Sequence, residues 1–486
     1  MVELKEQVYK IVVYYGNFID TPKLGALRVR ESCALGVSFA SDKDSGTIVF
    51  IKEGSKDPLK DALEYDPSVT LRDIKVFDLT DPTGQRFMFP GFIDTHIHSS
   101  QYPNCGIFGN STLLDWLETY TFPLEASLND LEIANTVYSK VIERTLKCGT
   151  TTAVYYTTID TESAKLMGTL CSKLGQRALV GKVCMDQNGP EYYVESTKDS
   201  LDGCKDMVSF FENDLNDDKV LPILTPRFAP TCSRELLHDL GTLASQKDLH
   251  VQTHLSENTA EISWVKSLFP ECSSYTDVYN QAGLLSRKTV LAHCIHLSED
   301  EEDLIKTTGS GISHCPVSNS SLTSGECRVR HLLEKDISIG LGSDVSGGYS
   351  PSILVAARHA HLTSRHLAMK CSNEKEKDNT KLSVAECLYL GTMGGASVID
   401  LQDRIGSFEV GKQFDAQLIN LSTADSNVDI FEWQRLGDLR KFNNITQPPK
   451  INIDGIISKW FFNGDDRNVQ CTWVAGHMVN SRQELF

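Results

Sequence analysis

Eight runs of apolar residues, each closed by a polar or glycine-rich turn and followed by apolar positions at helical spacing, recur along the middle of the chain. The pattern predicts strands over 90–98, "TTAVYYTT" (151–158), "RALVGKVCMD" (177–186), "LPILTPRFAP" (221–230), "LHVQTHLSEN" (249–258), "TVLAHCIHL" (289–297), "SGISHCPVSN" (310–319) and "ISIGLGSDV" (337–345). Between them, "NDLEIANTVYSKVIERTLKCG" (129–149) has the period of a helix, opened by an Asn cap and closed on Gly149, and "SRELLHDLGTLASQ" (233–246) has the same period. Near-continuous apolar strands are buried on both faces. Eight of them with intervening helices predict an α/β fold, a closed parallel (β/α)8 barrel of the TIM type, rather than an open sheet. Such a barrel carries its site at the C-terminal strand ends.

The flanks have another rhythm. Residues 1 to about 85 ("KIVVYYGNFI", "CALGVSFA", "GTIVFIKEG", "IKVFDLT") and the stretches 405–425 and 455–480 ("GKQFDAQLIN", "CTWVAGHMVN") are short β-like runs separated by turn residues. They predict a small β-sandwich formed by 1–85 and 405–486, with the barrel over 86–404. The charged "CSNEKEKDNT" (371–380) is expected as a solvated loop. "NIT" (444–446) matches a glycosylation pattern in form only, and the chain has no internal repeat or low-complexity tract.

With 486 residues, 40% apolar and 23% charged, the chain can bury a large core and is longer than one average domain requires. The formal net charge of −18 repels a nucleic-acid backbone and favours a small-molecule partner. The N-terminus "MVELKEQVYKIVVYYGN" is charged from its third residue and lacks the apolar core of a signal peptide, and no apolar run has the roughly eighteen residues of a membrane span. A cytosolic protein without a membrane partner is expected. Fourteen cysteines, without paired spacing and without a CxxC, fit reduced thiols rather than a disulfide framework and exclude a zinc ribbon.

Candidate chemistry is concentrated at the strand ends. In "FMFPGFIDTHIHSS" (87–100) two imidazoles close an apolar strand, and residues two apart on a strand share a face, so His96 and His98 point together toward the barrel mouth. Alone, the pair fits hydrogen-bonded core histidines as well as metal ligands. Three further strand ends shift the balance, since "THLSE" brings His254, "LAHCIH" brings His293 and "GSD" brings Asp344. Histidine and carboxylate donors meeting at one focus are what zinc or ferrous iron accepts.

The motifs "PGFIDTHIH", "HLSE", "LAH" and "GSD" resemble the signature of the amidohydrolase superfamily, metal hydrolases on a (β/α)8 barrel flanked by a β-sandwich. "HIHSSQY" (96–102), "GKVCMD" (181–186), "TPRFAPTCS" (225–233), "THLSEN" (253–258), "LGSDVSGGYS" (341–350) and "GSFEVGKQFDAQLIN" (406–420) are similar to the guanine deaminase family within it, so the resemblance covers nearly the whole chain. It implies hydrolytic removal of the C2 amino group of guanine, giving xanthine and ammonia, in a homodimer. It also implies one zinc per chain held by His96, His98, His254 and Asp344, with Glu257 as proton shuttle and His293 beside the metal-activated water.

The residue types suit these roles. Glu257 lies three places after His254, past the strand end, where a carboxylate can take a proton from activated water and pass it to a ring nitrogen and the leaving amine; the alternative is an exposed glutamate at a helix start. Asp344 can both ligate the metal and orient the attacking water. Arg227 ends the fourth strand, where its guanidinium can fork onto a carbonyl and an adjacent ring nitrogen, as arginine does with guanine O6 and N7; it reads otherwise as a surface or salt-bridged arginine. Gln101 offers an amide donor and acceptor together, and Phe228 a flat apolar surface or a core contact. His254, Glu257 and Asp344 would face the same substrate. His293 reads otherwise as a core histidine, His296 is expected to be structural, and "GGYS" (347–350) shapes the rim or forms a turn. Two rival readings fit less well. A binuclear cyclic-amide hydrolase carries a carbamylated lysine on strand four, where this chain has Arg227, Lys182 lying on strand three. A non-catalytic assembly protein on the same fold would have lost the ligands that are present.

Overall fold

The computed structural model describes residues 9–41, 45–109, 111–436 and 451–482. The chain divides into two compact units, one of Met1–Gly91, Lys147–Gly149 and Arg404–Phe486, the other of Phe92–Leu146 and Thr150–Asp403. In the first, β1 (Ile11–Lys23), β2 (Ala26–Ser38), β3 (Thr47–Lys52), β4 (Ile74–Asp78) and β5 (Arg86–Pro90) join three strands from the far end of the chain, Ala416–Asn420, Val469–Val474 and His477–Ser481 (β15 to β17), in one eight-stranded sheet of order β17-β16-β15-β5-β1-β2-β3, with β4 also beside β1. The β-branched and aromatic sequence of β1 suits a pleated, half-buried surface. Its first half runs parallel to β4, the register shifts between Gly16 and Phe18, and Phe18 then pairs with Met88 on β5. The sheet closes over a shared core that includes Tyr14, Phe18, Met88, Phe414 and Trp473, the rings of Tyr14 and Phe414 stacking at 4.3 Å.

Of the strand expected over 90–98, Phe92–His98 forms as one barrel strand, while Pro90 closes a separate strand, β5. Arg86–Pro90 pairs antiparallel with β15, Met88 opposite Leu418, and the barrel strand starts at Phe92. The stretch 455–480, expected to be β-like throughout, opens with a helix, Ile453–Asn463, whose buried Ile456, Ile457, Trp460 and Phe461 recur at helical spacing behind an Asn452 cap.

The second unit is the barrel. β6 (Phe92–His98), β7 (Thr150–Tyr156), β8 (Arg177–Gly181), β10 (Val220–Pro226), β11 (His250–Leu255), β12 (Thr289–His293), β13 (Gly311–His314) and β14 (Ile339–Leu341) are neighbours in that order, and the short β9 (Val183–Cys184) pairs with β10. All paired barrel strands are parallel. Every residue of β6, β7, β8, β12, β13 and β14 is buried, which is why their sequences lack the apolar–polar alternation of a half-exposed strand, and the polar residues in them, such as Asp94, His96 and His98, are buried too. The first and last strands meet where the Asp344 N–H donates to the His96 carbonyl (2.9 Å) and the His98 N–H to the Val345 carbonyl (3.1 Å).

Helices between strands begin on side-chain caps, Asp160 before Thr161–Leu174 and Ser233 before Arg234–Lys247. The helix expected over 129–149 is Leu131–Lys147, and Asp130 rather than Asn129 accepts its first amides, those of Glu132 and Ile133. The strand expected over 310–319 stops at His314 because Pro316 opens a helix, Pro316–Ser321. The expected loop 371–380 contains an exposed helix, Glu374–Thr380, capped by Asn373. "NIT" (444–446) lies outside the described residues. No disulfide joins any two of the fourteen cysteines. Among the described residues no helix is long and apolar enough to cross a membrane.

Candidate metal centre and substrate cavity

The period of β6 sends His96 and His98 to one face of the strand. Asp94, two residues earlier, accepts from the N–H groups of His96 (3.2 Å) and Ser343 (3.0 Å), tying this strand to the segment after β14, and burial pushes its carboxyl up to about 7. A Cβ on Gly342 would fall 2.8 Å from the Cβ of His96, so glycine there leaves room for the first imidazole.

The outer ring nitrogens are committed. His96 Nδ1 donates to Gln252 Oε1 on β11 (2.5 Å), and His254 Nδ1 donates to the Arg227 carbonyl (2.6 Å). Carbonyl oxygens only accept, so Nδ1 carries the hydrogen in both rings and Nε2 keeps a lone pair. These lone pairs converge with a carboxylate. His98 Nε2 lies 3.2 Å from His254 Nε2, and Asp344 Oδ1 lies 3.2 Å from His96 Nε2 and 3.5 Å from His98 Nε2.

His96 Nε2 and His98 Nδ1 are buried without a hydrogen-bond partner. An electron-rich cluster of this kind, with an orphaned nitrogen at its centre, fits a divalent cation that accepts nitrogen and oxygen donors. Burial, together with the neighbouring His96, holds His98 and His254 well below the usual imidazole range and keeps their lone pairs available. Burial opposes ionisation of Asp344, yet the surrounding imidazoles, His96 foremost, outweigh it and hold the carboxyl well below the usual carboxylate range. Cys315 packs beneath the same cluster, but burial pushes its thiol well up, away from the thiolate that a metal takes.

The strand ends that carry these groups are strained. Ser256, His293, Cys294 and Asp344 have φ of 50°, 72°, 50° and 46°, in the left-handed region. Glu257 is buried, accepts from Ser324 Oγ on Oε1 (3.0 Å) and places Oε2 3.4 Å from His293 Nε2. Burial and the nearby Asp344 charge push its carboxyl up to about 8. His293 is oriented by Asn319, whose Oδ1 lies 2.8 Å from Nδ1, and its Nε2 lies 3.7 Å from Asp344 Oδ2.

One cavity brings these groups together with the expected binding residues. His98, His254, Glu257, His293 and Asp344 line it along with Gln101, Arg227 and Phe228, and Trp116, Leu117 and Leu322 form apolar wall. Arg227 is both a wall residue and a salt-bridged one, its Nη1 2.7 Å from Glu125 Oε2. Glu125, Gln252, Asn319 and the apolar wall escape sequence reasoning. The one available signal is the long connection, 99–130, that follows the first barrel strand, since such loops build barrel sites. Away from the cavity, His296 bonds through Nε2 to the Ser324 carbonyl (2.8 Å), and Lys182 is buried against Glu195 (2.5 Å). β10, the strand of a bridging lysine in a binuclear site, carries none.

Residues 87–479 match the model of the amidohydrolase family. Over 96% of this chain, it is 45% identical to a probable guanine deaminase of Schizosaccharomyces pombe, covering 83% of that protein, and 42% identical to a guanine deaminase of Dictyostelium discoideum, covering 98% of it. A crystal structure of guanine deaminase from C. acetobutylicum, with guanine bound in its active site, superposes with a TM-score of 0.81 at 32% identity, covering 96% of this chain and 99% of that one. A chain with this match along its length, and with these donors at its barrel mouth, belongs to the amidohydrolase family, among the guanine deaminases.

Proposed function

We propose that this chain hydrolyses guanine at C2 to xanthine and ammonia, using one zinc held by His96, His98, His254 and Asp344. The observation that carries this reading is the shared cavity, in which converging lone pairs and a carboxylate face the same space as Arg227 and Gln101. When bound, the ion supplies Lewis-acid activation of water near neutral pH. Glu257 then takes a proton from the attacking water and delivers it to a ring nitrogen and the departing amine; burial and the nearby Asp344 charge raise its carboxyl above the usual range, which favours a group that holds the proton between the two transfers. Asp344 and His293 orient the water from either side. Arg227 donates to O6, Gln101 bonds a second polar edge, and Phe228 with Trp116 excludes bulk water. A homodimeric assembly is part of the proposal, on the family resemblance.

Purified zinc-loaded protein should release ammonia from guanine with formation of xanthine. Adenine carries its exocyclic amine at C6, so in the guanine pose it sets a donor opposite the Arg227 donor, at about 1–3 kcal/mol for a buried unsatisfied donor, and has no amine at C2 to release; its kcat/KM should be lower by at least about tenfold. Equal efficiency on adenine would remove the assignment of Arg227 and of the substrate.

A further inference from the structure

The fully buried carboxylate of Glu125 serves four donors from three loops at the barrel mouth. Gln101 Nε2 donates to Oε1 (2.7 Å), Tyr193 OH to Oε2 (2.6 Å), and Arg227 Nη1 and Nη2 to Oε2 and Oε1 (2.7 and 3.3 Å). The Gln101 amide is fixed from its other end as well, because the Ser346 N–H donates to Oε1 (3.2 Å). What Gln101 has left for the cavity is an amide hydrogen. The Arg227 side chain is 3% exposed and lies over the Phe122 ring at 5.1 Å, and among the described residues its ion-pair partner is Glu125. A bare guanidinium in this cavity would draw in an anion. Paired, it is a neutral unit whose remaining N–H groups suit the acceptors of an uncharged ring.

We propose that Glu125 is a positioning residue for substrate recognition, fixing Gln101 and Arg227 as donors toward the cavity and cancelling the Arg227 charge so that a neutral purine is bound in preference to an anionic one. This rests on the guanine deaminase reading and adds what sets its specificity. The two are separated by assaying the wild-type holoenzyme first, since guanine turnover there decides the underlying reading alone.

Glu125→Gln keeps the size of the side chain and leaves the Arg227 charge uncompensated. With zinc content unchanged, its KM for guanine should rise by about tenfold or more while kcat moves far less, and urate, an anionic purine, should inhibit it about tenfold more strongly than the wild type. Unchanged KM and unchanged urate inhibition in the folded variant overturn the proposal; raised KM with unchanged urate inhibition overturns its charge-cancelling half. If Glu125→Gln does not fold, Glu125→Asp carries the test, because it keeps the charge and withdraws the carboxylate by one methylene. A raised KM at near-constant kcat supports positioning, and an unchanged KM overturns it.

Discussion

Glu257 has one oxygen held by Ser324 and the other facing His293, which suits a group that moves a proton without ligating the metal. Glu257→Gln keeps size and hydrogen bonding and removes the base, so turnover should fall by roughly 10² to 10⁴ with metal content unchanged, measured by steady-state assay beside metal analysis. Near-normal turnover would make Glu257 a bystander. His254→Ala, by contrast, deletes a lone pair from the cluster while the barrel strands keep their ladder, and it should lose metal retention well before fold. A variant with full metal content excludes His254 as a ligand. At this scale the sequence was informative wherever a residue's spacing carried geometry, as in the two-residue period of His96 and His98. It was silent on Gln252, Asn319 and Glu125, which act by orienting another side chain from a different element. Nothing in the local pattern of "TFPLEAS" shows that its glutamate meets an arginine about a hundred residues later.

At the scale of elements, local signals place helices and strands well where cap and period agree, as for Ser233 and Arg234–Lys247. They fail where an apolar stretch permits both periods, which is why Ile453–Asn463 reads as strand until its buried residues are seen to recur at helical spacing. Packing between elements is less legible still. Gly241 sits within Arg234–Lys247, and a Cβ there would fall 1.9 Å from the carbonyl oxygen of Ala282, a backbone atom that cannot swing aside. Propensity alone makes Gly241→Ala favourable by about 1 kcal/mol, whereas overpacking costs about 1–3 kcal/mol. The clash should win, and thermal unfolding of the variant should shift to lower temperature. A rise in Tm would show that the helix relaxes away from Ala282.

For the whole molecule, the barrel is legible because its strands announce burial on both faces locally, while the flanking sheet pairs β5 with β15 across more than three hundred residues and leaves no local trace of that partnership. Exposed ion pairs contribute little to the stability of a fold, whereas burial of titratable groups shapes its response to acid. His250, bonded through Nε2 to the Ile399 carbonyl, and His314, with neither ring nitrogen partnered, sit inside the barrel unit. Burial lowers them from 6.5 to about 4 and about 3, with the nearby His293 also acting on His314. In the unfolded chain both take up a proton as pH falls through 6.5, while the native forms stay neutral to about 4 and 3, so the unfolded state binds more protons in that window. Their contribution is therefore complete above 6.5 and is lost as pH falls toward 4 and 3. For His314 alone the loss amounts to about 2 kcal/mol by pH 5. Denaturant unfolding of the wild type and of His314→Gln at pH 7 and pH 5 checks this, because metal release in acid affects both proteins and cancels in the comparison. The wild type should lose about 2 kcal/mol more than the variant between the two pH values. Equal losses would mean that the His314 imidazole gains its proton in the native state as readily as in the unfolded chain.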